Sequence, residues 1–430
     1  MNAQERKQKL AQLQANNEAA IRGLPLKYHG ENRTFDAYRI PLDYLVYNPY
    51  NGRIGSVVKS YERQHHALDV ENPEDLKLIE KFLWESKEDA NKKTRQSLLE
   101  DHQQKFGIVT AEGMIIDGNR RACLLNSIRF DDNIPPNTKQ HCDYFLAIIL
   151  PIDADKPELL RLETTFQMGE DAKVDYNPIE KYLKCQDLKD AGFTTVQIAN
   201  FMGDTKTNVE MYLSVLQLMN EYLEYYHYDG MYTLLDKNED SFQKLNSALK
   251  GYKSGSVSCM WDFDPELDTE DLKLIAFDYI RFGFDQTDFR DIIRKPTAQN
   301  PNSSIFGNKE IWSSFKENHF TSIDPITDGE DSVESLIQSS AGGDITRILR
   351  ARDNKWRNSV ESYIKENFGK SIEKLHNKQA SDNPLKLLQK ALDALESVDT
   401  SQDSFKNDDN VLDCIKEIGR IVWEYKKLLE

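Results

Sequence analysis

Apolar positions along this chain change their period several times, and each change marks an element. Met114, Ile115 and Ile116 form a short apolar run that stops at Asp117-Gly118, and from Ala122 the apolar residues recur with helical spacing. The pattern predicts strand, tight turn and helix. Tyr144 to Leu150 is an unbroken apolar run of strand length, which predicts a buried strand. Tyr38 to Tyr47 predicts a strand followed by a turn, and Asn48-Pro49-Tyr50-Asn51-Gly52-Arg53 is dense in turn formers. Asn72 to Asp101 predicts mostly helix, with Leu76, Leu78, Ile79, Phe82 and Leu83 on its apolar face, and Gly107–Thr110 predicts a short strand. Strands and helices alternate through this region, as in an α/β unit of about 120 residues.

The flanking regions read differently. Residues 1–23 form a polar helix with a thin apolar stripe at Leu10, Leu13 and Ala20, expected as part of a flexible or partner-binding arm over 1–37. After Pro157 the pattern is helical almost throughout, and three short helices stand out, split at Gly192 and near Gly203. Thr194 or Thr195 caps the middle one. Val196, Ile198, Ala199 and Met202 are expected to pack inward, as are Val209, Leu213 and Leu216 on the last helix. Small Ala199 and Gly203 suit the close approach of a helix-turn-helix over 157–232, which puts Thr195, Gln197, Lys206, Thr207, Asn208 and Tyr212 toward a DNA groove. A plain helical hairpin in a bundle fits the same pattern. Residues 233–322 predict a helical region with a loop at 296–310, 323–344 an acidic linker, and 345–430 a C-terminal helical domain. Its apolar positions suit an intramolecular bundle, a dimer or a protein partner.

Chemistry enters at the Asp117–Arg121 turn. A helix start offers free N–H groups and a positive dipole end, and two guanidinium groups there make a phosphate cradle. Asp117 reads either as the cap of the helix or as a metal ligand. The net charge of −17 over 430 residues opposes non-specific attraction to nucleic acid, yet residues 1–66 hold ten Lys or Arg against six Asp or Glu. Five scattered cysteines with no CxxC pair fit free thiols in a reducing cytoplasm. No apolar run approaches a membrane span, so no membrane partner is expected.

Taken in order, these pieces resemble the ParB family of chromosome and plasmid partition proteins and the wider ParB/sulfiredoxin fold. Ile40–Arg53 is similar to the opening strand and NPxxPR turn, with Gly52 where the family often has proline. Gly113–Ala122 resembles the strand and GxRR nucleotide loop, Arg161–Met168 the ENxQR segment, Asn177–Glu180 the NPxE start of the next helix, and Phe193–Leu218 the helix-turn-helix and the segment after it. The resemblance spans about residues 38–220. It implies an α+β nucleotide-binding domain at 38–156, followed by an all-α helix-turn-helix domain and an α-helical C-terminal region. It further implies a homodimer that clamps double-stranded DNA and binds a nucleoside triphosphate, CTP or ATP, with Mg2+. By position, Asn48, Arg53, Asp117, Gly118, Asn119, Arg120, Arg121, Thr165 and Gln167 would meet the nucleotide, and Glu163 and Thr164 the metal. Thr164 and Thr165 stand where the family has its Glu-Asn pair, and Met168 replaces the arginine. Sulfiredoxin chemistry needs a cysteine in the loop, whereas Cys123 falls inside the following helix, so that activity is not expected.

Three functions fit: a DNA-binding clamp or adaptor switched by a nucleotide, a non-enzymatic scaffold that retains the fold, and a metal-dependent nuclease of a mobile-element or phage-defence system. No catalytic residue is assigned, and at most a slow nucleoside triphosphatase or nuclease activity is expected.

Overall fold

The computed structural model describes residues 1–429 except 171–176, 258–260, 298–299, 301, 340–343 and 380–383. Cys259 lies outside the described residues. The chain opens with helix α1 (Ala3–Ala15), then strands β1 (Ile21–Tyr28), β2 (Glu31–Pro41) and β3 (Val46–Tyr47). Helices α2 (Gly55–Gln64), α3 (Pro73–Glu85) and α4 (Glu88–Asp101) follow, then β4 (Gly107–Val109), β5 (Met114–Asp117), α5 (Asn119–Arg129), the short α6 (Pro136–Lys139) and β6 (Tyr144–Ile149). The six strands form one mixed sheet in the order β1-β2-β6-β4-β5-β3. β6 runs parallel to β4, and β5 parallel to β3, while the remaining pairs are antiparallel. Alternation along the short strands buries both faces. Val109, Ile115, Ala147 and Ile149 pack with the α3–α5 side, and Ile108, Ile116 and Ile148 pack with Leu162 on the other.

The expected arm over 1–37 is corrected. Its helix stops at Ala15, and the rest is a hairpin built into the sheet through β2 and β6. His29 and Gly30 both take positive φ (47° and 81°) at its two-residue turn, the geometry that matches strand twist. Even α1 is docked: Leu10 is buried, and Arg6 reaches Glu71 at 2.6 Å and the Glu112 carbonyl at 2.9 Å.

The helical part comprises α7 (Lys156–Thr164), a π-helical turn at 165–170, α8 (Pro178–Asp190), α9 (Thr195–Met202) and α10 (Lys206–Tyr225). It continues through α11 (Glu239–Lys253), α12 (Leu267–Phe282), α13 (Gln286–Ile293), α14 (Lys309–Asp328), α15 (Val333–Ser339) and α16 (Ile345–Gln379). One apolar core runs from Met168 to Leu375, so α8–α16 pack as a continuous body. The expected linker 323–344 is corrected over its described residues: Ile323 is buried at the end of α14 and Val333 in α15. The expected loop at 296–310 has neither helix nor strand over its described residues before α14 begins at Lys309, but it buries Ile305 and Phe306, and Trp261 Nε1–H donates to the Phe306 carbonyl at 2.9 Å. Last come α17 (Pro384–Glu396), α18 (Asp403–Asn407) and α19 (Asp409–Leu429), whose apolar side chains are largely exposed. Among the described residues no helix is long and apolar enough to cross a membrane.

Candidate functional site

Three buried contacts fix the turn between β3 and α2. The Asn48 N–H donates to Asn119 Oδ1 at 2.8 Å, and Asn119 Nδ2–H donates to the Ile115 carbonyl at 2.8 Å. The Gly52 N–H donates to Glu163 Oε1 at 2.9 Å, and Lys184 Nζ donates to Glu163 Oε2 at 3.0 Å. The Ser56 N–H and hydroxyl donate to Glu180 Oε1 at 2.9 and 2.5 Å. The turn is therefore held by α5, α7 and α8 at once. Gly55 permits the last contact, because a Cβ there would stand 2.7 Å from Glu180 Oε2. Gly118 starts α5 with φ 99°, and a Cβ there would meet the Phe145 ring at 2.6 Å.

This geometry leaves a cavity of about 220 Å3 lined by Arg53, Lys87, Arg120, Ser56, Asn177 and Glu180, with Glu85 and Asp236 also on its wall. Three cationic side chains and the first turn of α2 converge there. The helix has no side-chain cap from its N-cap residue, Ile54, and the Glu180 carboxyl takes the Ser56 N–H of its first turn instead, a position that suits an anion. The acids on the wall carry less charge than usual. Burial pushes the Glu180 carboxyl up to about 7, against the pull of the Ser56 hydrogen bonds, and burial also raises Asp236. A second cavity of about 600 Å3 lies across the 52–56 segment, bordered by Tyr50, Met114, Ile116, Leu160 and Leu183, and shares Glu180 with the first. It is mostly apolar and of a size that accepts a small organic group.

The expected nucleotide residues divide. Arg53 and Arg120 line the cationic cavity. Arg121 does not: its guanidinium donates to the Lys105 and Phe106 carbonyls and to Asp117 Oδ2 at 2.6 Å. Neither expected role of Asp117 is what the structure uses, because Gly118 is the N-cap and the Asp117 carboxylate holds Arg121. Asn48 and Asn119 act as a staple, Gln167 is buried with Nε2 3.4 Å from the Ile116 carbonyl, and Thr165 is half-buried in the π-helical turn. The expected metal pair is also corrected. Both Glu163 oxygens are taken up by Lys184 and Gly52, and the Thr164 hydroxyl donates to the Leu160 carbonyl at 2.8 Å. These donors do not fit a hard cation, which wants free oxygens. No group of three or more His, Cys, Asp or Glu suited to a metal exists among the described residues. Sequence reasoning missed Lys87, Ser56 and Glu180. Ser56 carried a signal, as a hydroxyl residue directly after a turn at the start of an apolar helical pattern.

On α9 and α10 the geometry is that of two helices joined by a glycine turn. Thr194 caps α9 in a reciprocal box with Gln197, and Gly203 ends it with φ 62°. Asp204 is the hub of the turn: Lys181 Nζ and the Tyr212 hydroxyl donate to Oδ2 at 2.8 and 2.7 Å, and Asn208 Nδ2–H donates to Oδ1 at 2.6 Å. Burial works to raise the Asp204 carboxyl, but these hydrogen bonds outweigh it and hold the group well below the ordinary range. Tyr212 is therefore corrected as a groove contact, because its ring stacks on Tyr182 and its hydroxyl is committed to this hub. Lys206 and Thr207 are exposed, with Lys206 3.3 Å from Glu210, Gln197 is engaged in the cap, and Thr195 is half-buried. Val196, expected inside, is 52% exposed, since Ile198, Ala199 and Met202 define the opposite face of α9. Cys123 is buried in α5, and burial pushes its thiol up to about 12.

The raised carboxyl of Glu180 has a consequence for stability. Its folded pKa lies above the usual 4.5, so the folded state binds the extra proton and stability falls as pH rises from about 4.5 to about 7. The shift corresponds to about 3 kcal/mol. Urea unfolding of the wild type and Glu180→Gln between about pH 5 and about pH 8 is expected to show this slope in the wild type and its loss in the variant. Parallel pH profiles would contradict it.

No protein-family model matches this chain, and no curated protein matches it.

Proposed function

We propose that this chain is a ParB-like DNA-binding protein that uses a nucleoside triphosphate, CTP or ATP accompanied by Mg2+, as a switch for clamp- or adaptor-like binding to double-stranded DNA. The observation that carries this reading is the double duty of α8. One end of it grips the cationic cavity, through Glu180 at Ser56, while Lys181 on the same helix ties to Asp204 in the turn before α10. An anion that alters the contact at Ser56 therefore acts on a helix packed against the candidate DNA-reading pair. Arg53, Lys87 and Arg120 supply the phosphate chemistry, and the neighbouring apolar cavity supplies room for a base. Asp117, on which a nuclease reading depends, is committed to Arg121.

The test is calorimetric titration with CTP, ATP and GTP plus Mg2+. Removal of two phosphate-facing guanidinium groups in Arg53→Ala/Arg120→Ala is expected to weaken binding by a factor of at least about 100, at about 1.5–3 kcal/mol for each charged hydrogen bond lost. Equal affinity in wild type and variant would count against the site.

A self-associating scaffold role finds support at the other end of the chain. Leu412, Ile415 and Val422 on α19 and Leu385, Leu388, Leu392 and Leu395 on α17 are 46 to 74% exposed. These spacings are those of helix–helix seams. Charges of both signs alternate along α19 (Asp413, Lys416, Glu417, Arg420, Glu424) before the basic last turn (Lys426, Lys427), so the apolar stripe and not a charge gradient is what two copies would share. The full chain is expected to sediment as a dimer, and Ile415→Asp/Val422→Asp as a monomer with unchanged far-UV dichroism. A monomeric wild type would remove this reading.

A further inference from the structure

The start of α2 already carries an anion of the protein's own. Glu180 Oε1 accepts from the Ser56 N–H and hydroxyl, the place a phosphate oxygen would take at an uncapped helix start. Its other oxygen, Oε2, is buried with no hydrogen-bond partner, in a side chain only 3% exposed that borders both cavities. A buried carboxylate oxygen without a donor is costly, and a proton or a new donor at that oxygen removes the cost. Glycine at 55 leaves Oε2 its place, since a Cβ there would stand 2.7 Å from it.

We propose that Glu180 is a built-in competitor for the anion, and that an incoming phosphoryl group takes the Ser56 donors only as Glu180 accepts a proton from solvent. The proton goes to the carboxylate, which becomes a neutral acid. An acceptor at the start of α2 is thereby exchanged for the ligand, and the new O–H can donate to a phosphoryl oxygen. The inference rests on the anion-site reading above and adds its regulation. The charged groups that face Glu180 fit such an exchange. Arg53, Lys87 and Arg120 attract the ligand, Lys184 on the same helix, bonded to Glu163, favours the charged form of Glu180, and burial and the nearby Asp236 favour its neutral form. Burial already pushes this carboxyl to about 7, so the exchange falls within the physiological range.

The experiment is calorimetry on the full chain with two probes, CTP with Mg2+ and sulfate, whose charge is constant across the range. Each titration is run in two buffers of equal pH and different ionisation heat, at about pH 7 and about pH 8. The expected result is uptake of close to one proton per anion at the higher pH, and affinity that falls by up to about tenfold per pH unit above about pH 7. Glu180→Gln should bind with no proton uptake and roughly tenfold more tightly than wild type at about pH 8. The wild-type proton count stands even where the variant fails to fold. Binding by the wild type with no proton uptake and a flat pH profile overturns the role of Glu180 and leaves the anion site intact. No binding of either probe at any pH overturns the anion site itself.

Discussion

Lys184→Met is expected to destabilise the chain by about 3–5 kcal/mol, the range for breaking one partner of a buried ion pair. Lys184 Nζ lies 3.0 Å from Glu163 Oε2, with side chains 2% and 3% exposed. Without the ammonium group, Glu163 stays buried against the Gly52 N–H with no compensating charge. Burial already raises its carboxyl against the pull of Lys184, and the variant would raise it further. An acid with a raised folded pKa loses stability as pH rises through the range between its unfolded and folded values, so the damage should shrink toward about pH 5. Adding Glu163→Gln to Lys184→Met is expected to recover most of the loss, since a neutral buried pair avoids the desolvation cost. Chemical unfolding of the three chains measures this. A single-variant cost below about 1 kcal/mol would mean that the pair does not hold the turn.

Arg281→Met should be comparably severe, at about 3–5 kcal/mol. The Arg281 side chain is fully buried on α12, between the rings of Tyr226 and Trp356 with centroids at 4.7 and 4.5 Å. It bonds Glu330 and Asp353 at 2.8 and 2.7 Å, and its Nη2 donates to the Tyr228 hydroxyl at 3.2 Å. One guanidinium thus joins the segment after α10, the end of α14 and α16. Its loss leaves two carboxylates with Arg352, 3.3 Å from Glu330, as the nearest remaining cation in the network. Arg281→Lys is expected to fall short of full rescue, because an ammonium lacks the planar fork that stacks and bonds at once. Tryptophan emission should report the change, since Trp356 forms one wall. Unaltered emission and unaltered unfolding in Arg281→Met would contradict this account of the helical body.

Much of this architecture was legible in the sequence where one period dominated. The strands at 107–109, 114–117 and 144–149 follow from short apolar runs bounded by turn residues. A cap at Thr194 or Thr195, the apolar period through Ile198, Ala199 and Met202, and Gly203 announced the two helices, while the reciprocal cap by Gln197 appears only in the structure. The hairpin over 21–41 was not legible, because its first strand buries only Leu26 and Tyr28 fully and is interrupted by Gly23 and Pro25, which break the strand pattern. The acidic composition of 323–344 likewise masked Ile323 and Val333, two apolar anchors among many charges. At the site the two arginines looked equivalent as neighbours in sequence. On a helix they point about 100° apart, so Arg120 faces the cavity while Arg121 turns to the strand-end carbonyls. Lys87 and Glu180 come from segments far from the turn, and only folding brings them to it.

The most direct test of a nucleotide-switched DNA binder is fluorescence anisotropy of labelled duplex fragments with the full chain, measured with and without CTP or ATP and Mg2+. The account predicts association that changes at least about tenfold with nucleotide, is insensitive to nucleotide in Arg53→Ala/Arg120→Ala, and is weakened by Lys206→Ala/Thr207→Ala. DNA association that is identical with and without nucleotide, or absent in both, would contradict it.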